Sequence, residues 1–163
     1  MRRAIEEHLS SAQVSRVIYG AIIGMALVVV LEHQHPTAGV AAATLVATGL
    51  AVALAEAYSE VIGTQTRLRR KLARHHVREI VEDVGAVFFG VVFPDVLFVL
   101  AALGWIEIDT AFTLAKWTGL GLIAVYGFAA GRLSGSSFRS ALLQALALAA
   151  IGGALIAFKA ILH

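Results

Sequence analysis

The 163-residue chain contains no cysteine, which excludes disulfides, thiolate metal sites and cysteine nucleophiles together. Charge is scarce: Asp, Glu, Lys and Arg make up 15% of the residues. Thirteen basic residues against eleven acidic ones leave +2, too little for a nucleic-acid-binding surface. Enzyme signatures are missing as well: there is no glycine-rich phosphate loop, no nucleophile beside a base and no zinc-protease histidine spacing. No enzymatic role is expected. What the chain has in excess is apolar side chains, at 59% of residues and a mean hydropathy of +0.82, well above a soluble domain. That is the composition of a membrane protein, and the length suits a single domain over 1–163.

Five apolar stretches fall at about 14–31, 40–63, 81–103, 112–131 and 141–162. The shortest reaches about 27 Å as a helix, just enough for a hydrocarbon core of about 30 Å. Open strands would leave backbone groups unpaired in lipid, so the spans are expected to be helices and the fold an all-α integral membrane protein. The first apolar run ends without a small-residue cleavage site, so it is expected to remain as an anchor. Charges between the stretches supply a topology. Arg2, Arg3 and Arg16 precede the first span; Arg67, Arg69, Arg70, Lys71, Arg74 and Arg78 lie between spans 2 and 3; Arg132 and Arg139 lie between spans 4 and 5. Eleven of the thirteen basic residues thus fall on one side, with only Lys116 and Lys159 near the other. This bias predicts a cytoplasmic N-terminus and an outside C-terminus. The expected location is a prokaryotic plasma (inner) membrane. The short basic segment 64–80 suits contact with anionic lipid headgroups. Trp105 and Trp117 fall where an outer interfacial belt would lie.

Ionisable residues inside spans are costly, at least about 2.5 kcal/mol at the centre, and each is therefore a functional candidate. Glu56 and Glu60 stand four apart, on one face of span 2. Two such carboxylates repel unless they are protonated or bridged by a cation, and that competition is the core of cation/proton exchange. The alternative is that Glu60 reaches cytoplasmic water while Glu56 pairs with an arginine of the following segment. Glu79, Glu82 and Asp83 open span 3 at i, i+3 and i+4, an oxygen-rich set suited to Mg, Mn or Fe(II); a favourable placement near a helix N-terminus explains them equally well. Asp95 follows Pro94 directly, and a broken helix beside a carboxylate recurs in transporters. A depth difference of roughly 7 Å at 1.5 Å per residue also offers Lys116 as its ion-pair partner. Glu32, His33 and His35 cluster at the far end of span 1, as a solvated polar loop or a metal or proton entry site. Gly20 and Gly24, and Gly127, Gly131 and Gly135, have the spacing of close helix contacts, within the chain or across a dimer.

The order of these landmarks resembles the vacuolar iron transporter family, the CCC-type iron and manganese transporters. The stretch 131–140, Gly-Arg-Leu-Ser-Gly-Ser-Ser-Phe-Arg-Ser, is similar to the family's link between spans 4 and 5. Gly90 and Pro94 match its glycine and proline spaced four apart; Gly20, Ala21 and Gly24 resemble the start of its first span; Glu60 falls where its second span ends in Gly-Glu-Tyr. The resemblance implies five spans, a cytoplasmic N-terminus, a homodimer with the pathway between subunits, and iron or manganese moved in exchange for protons. The metal would be cargo, with no permanently bound cofactor. Three departures stand out. Ile22 and Ile23 occupy the place of the family's Asn-Asp, Glu56 that of its methionine, and the segment between spans 2 and 3 is short and basic where the family has a long Glu-rich unit. Glu56 and Glu60 are then the expected proton- and metal-bearing pair, with Glu79, Glu82 and Asp83 as a receiving site. The alternative, which the missing aspartate favours, is a transport-inactive relative serving as a membrane scaffold or partner subunit.

Overall fold

A computed structural model describes residues 11–68 and 74–161, with the side chains of 13–66, 76–150 and 153–154. Among the described residues six helices follow one another: α1 (Ser11–Gln34), α2 (Ala38–Leu68), α3 (Arg74–Val92), α4 (Asp95–Ala102), α5 (Ile108–Leu133) and α6 (Phe138–Ile161). The described residues contain no strand. α1, α2 and α5 are each long and apolar enough to cross a membrane, over Gln13–Gln34, Ala38–Thr66 and Ile108–Leu133. α3 and α4 bend by 49° relative to each other and count as a fourth span if taken together; α6 adds a shorter apolar stretch over Phe138–Ala150. Of the five expected spans, three to four therefore meet the criterion in the described residues. The basic segment 64–80 is mostly helix rather than a separate element, because α2 runs on to Leu68 and α3 begins at Arg74.

The bend sits where proline removes a backbone donor. Phe93 N–H still donates to Phe89 O at 2.8 Å, the chain turns through Pro94 (φ −69°, ψ −14°), and Leu97 N–H donates to Pro94 O at 3.1 Å to start α4. Two other breaks are glycine caps. Gly104 (φ +76°) and Gly135 (φ +79°) take the left-handed conformation. Trp105 N–H then reaches Leu100 O and Ser136 N–H reaches Gly131 O, the reciprocal bonds that close a helix C-terminus. His35 (φ +45°) makes the same kind of turn after α1 and Pro36 follows, so its position is explained by the chain reversal.

α1 is the hub of the bundle. Its most apolar window is 56% buried, against 22% for α2 and 33% for α5. Val28 and Leu31 join Ala41, Leu45, Phe98 and Phe112 in one core cluster, where the two phenylalanine rings meet edge to face at 4.8 Å. Val14, Ile18 and Met25 pack on Ile123 in another. Contact between α1 and α3 is made by backbone, since a Cβ on Gly20 would lie 2.2 Å from Val87 O and one on Gly90 2.4 Å from Val17 O. Apolar surface gives helices no reason to associate within lipid, so such small-residue seams carry the packing. Gly127 and Gly131 meet Ala145 and Ala141 of α6 in the same way. These glycine pairs therefore serve packing within the chain, whereas Gly135 forms a turn.

Candidate functional site

The packed face of α2 reads Ala41, Leu45, Gly49, Ala53, then Glu56, Glu60 and Thr64, at spacings of three and four. Leu50, Leu54, Tyr58 and Ile62 form the opposite, exposed stripe. Both glutamates share one face, as their four-residue spacing predicts, and that face is turned into the bundle. On α3 the inward positions are Ile80, Asp83, Val87 and Val91. Asp83 consequently parts company with Glu79 and Glu82, which are exposed. Glu82 accepts a hydrogen bond from Arg78 Nε at 2.8 Å on the surface, an ordinary i, i+4 pair. The expected set of Glu79, Glu82 and Asp83 is not brought together, because three positions within one helical turn straddle the edge of the packed stripe.

What meets the inward carboxylates is Arg16 of α1. Its Nη1 forms an ion pair with Glu56 Oε1; its Nη2 donates to Glu60 Oε2 at 3.4 Å and lies 3.9 Å from Asp83 Oδ2. One guanidinium therefore serves three carboxylates drawn from two helices. Glu56 is the most enclosed, at 19% exposure, and the other three side chains lie between 25% and 31%. This is neither a solvated surface pair nor a sealed one. A planar fork of donors suits it, since one guanidinium can address several oxygens at once.

Arg16 was expected in the N-terminal arm, as one basic residue among those that orient the chain. Its partner role had a signal in the sequence all the same. Arg16, Gly20 and Gly24 stand at i, i+4 and i+8, so a residue on the glycine seam faces a neighbouring helix rather than headgroups. The predicted arginine partner for Glu56 exists, but it comes from α1 and not from the segment after α2.

At the other end of α1, Glu32 Oε1 accepts a hydrogen bond from Lys116 Nζ of α5 at 2.7 Å. This corrects the expected pairing of Lys116 with Asp95: depth along two helices was matched, but the nearer carboxylate is on α1. Asp95 opens α4, is 8% exposed, and its Oδ1 has no hydrogen-bond partner among the described residues. His33 and His35 are exposed. Arg69, Arg70 and Lys71 lie outside the described residues, as do the side chains of Arg67 and Arg74, leaving Arg78 as the one expected headgroup contact that is placed.

Among the described residues no three of His, Asp or Glu converge as metal ligands in this conformation. In the Arg16 cluster the guanidinium stands between the carboxylates. With all four groups ionised the cluster carries −2, from three negative charges and one positive. No family model, curated protein or solved structure matches the chain.

Proposed function

We propose that the chain is a membrane transporter that exchanges a divalent metal ion, iron or manganese, for protons. In this reading it spans the membrane five times as a homodimer with the N-terminus in the cytoplasm of a prokaryotic cell, and the basic residues around 67–78 rest on lipid headgroups. The metal and the dimer come from the resemblance to vacuolar iron transporters, and the span count from the five apolar stretches of the sequence.

The single observation that supports exchange is the charge of the Arg16 cluster. Three carboxylates around one guanidinium sum to −2 when all four groups are ionised, and one divalent cation or two protons would match that charge. Carboxylate oxygens are the ligands that Fe(II) and Mn(II) accept. Arg16 acts as a resident cation: when it swings off Glu56 and Glu60, metal or protons take its place, and its return expels the load. Asp83 joins them from α3, while Glu79 and Glu82 provide a more exposed acidic surface nearby. Two protons against one divalent ion makes the exchange electroneutral.

The test is Fe(II) and Mn(II) flux into proteoliposomes under an imposed pH gradient. The expected result is gradient-driven flux that is unchanged by a potassium diffusion potential and abolished by Glu56→Gln with Glu60→Gln. No flux from well-folded protein, with either metal and either gradient direction, overturns the proposal. That outcome selects the second reading, a transport-inactive scaffold or partner subunit, which the close Arg16–Glu56 pair favours because a fixed ion pair serves to hold α1 on α2.

A further inference from the structure

The bend between α3 and α4 opens a groove on the outside of the bundle, with a volume of about 550 Å³. Its walls are Phe88, Phe89 and Phe93 with valines of both helices, among them Val96, and Asp95 lies in it. The rings of Phe89 and Phe93 meet edge to face at 5.6 Å, so they form a corner rather than a flat wall. Phe89, Val96 and Val99 are 44%, 57% and 43% exposed. Asp95 is more than nine-tenths buried, yet its Oδ1 lacks a hydrogen-bond partner among the described residues. Neither Glu56, Glu60 nor Lys116 engages it.

An ionised carboxylate in an apolar groove calls for a positive charge, and the rest of the lining says which kind. A hydrated metal ion needs several oxygens to replace its water, and this groove supplies one carboxylate among hydrocarbon. A cation whose own surface is apolar matches it. The charge faces Asp95, aromatic faces attract it further, and the hydrocarbon body fills the groove. The volume is that of a small organic ligand, and access is sideways from the surface of α3 and α4.

We propose that this groove binds a hydrophobic organic cation, with Asp95 as counter-charge and Phe88, Phe89 and Phe93 as the aromatic surface. The site is separate from the Arg16 cluster and stands whether or not metal is transported.

Equilibrium dialysis of tetraphenylphosphonium against the purified full chain in a non-ionic detergent tests this, with tetraphenylborate as the anion of the same shape. Saturable binding at one site per chain is expected, without competition from the borate. Asp95→Asn should weaken it by about tenfold or more, the loss of a desolvated charge pair. Val96→Trp, a change at an exposed position that fills the groove, should also abolish it, while Leu54→Trp on the exposed stripe of α2 should not. The absence of cysteine allows a second readout that does not depend on Asp95. Val96→Cys should react with a maleimide, and tetraphenylphosphonium should slow that reaction. Equal binding by native and Asp95→Asn protein, or equal competition by the borate, marks partition into the micelle and overturns the proposal. No binding, with Val96→Cys already shielded in the absence of ligand, places a second copy or another protein in the groove and overturns it equally.

Discussion

α1 is tied by ion pairs near both of its ends, and the two ties differ in one respect that decides their use. Near its C-terminal end Glu32 meets Lys116 one to one; near its start Arg16 meets Glu56, Glu60 and Asp83, one to three. The balanced pair joins α1 to α5 and leaves nothing to neutralise. The unequal cluster joins α1 to α2 and α3 and sets three carboxylates against one guanidinium. Similar side chains, similarly half-buried, thus give a structural fastening at one end and a candidate ion site at the other. Stoichiometry makes the difference, not residue type.

The comparison breaks most severely if the seam behind Arg16 is forced open. Gly90→Leu puts a side chain where even a Cβ lies 2.4 Å from Val17 O and 2.7 Å from Ala21 N. The expected loss is about 3 kcal/mol, the upper end for overpacking, seen as a lower unfolding temperature in detergent. Arg16→Gln comes next. It leaves three carboxylates facing one another, and at exposures between those of surface and sealed pairs the cost is about 2 kcal/mol. Adding Glu56→Gln should recover only part of that, because Glu60 and Asp83 remain.

At the balanced end the same logic gives a smaller and fully reversible effect. Lys116→Met should cost about 1 kcal/mol, discounted for solvent at Glu32, and Glu32→Gln in the same chain should restore nearly native stability. The two double variants, melted side by side, separate a balanced pair from an unbalanced cluster. Last, Arg78→Ala removes an exposed pair with Glu82, and no change in unfolding temperature is expected.

Much of this arrangement is legible in the sequence. The common face of Glu56 and Glu60 follows from their spacing on a long apolar helix, and the break at Pro94 from its missing N–H. Gly20 and Gly24 announced a close helix contact, although their partner on α3 did not follow from spacing alone. What escaped were pairings across helices. The positive-inside count treats Arg16 as an orienting charge because it ignores the helical face a residue occupies. Lys116 was matched to Asp95 by depth, and depth carries no information on which helix is the neighbour. The split between Asp83 and Glu79 with Glu82 also needed the packed stripe of α3, because the i, i+3, i+4 spacing alone places all three within one turn.

The claim that the Arg16 cluster is an ion site rather than a fastening is tested most directly by titrating Mn(II) into the purified chain and following free Mn(II) by electron paramagnetic resonance. Saturable loss of the free signal is expected in native protein, with tighter binding in Arg16→Gln, where the resident cation is gone. Binding should be lost in Glu56→Gln with Glu60→Gln and stay native-like in Lys116→Met. Binding that is the same in all four proteins, or absent from both native and Arg16→Gln protein, would contradict it and leave Arg16 as a clasp between α1 and α2.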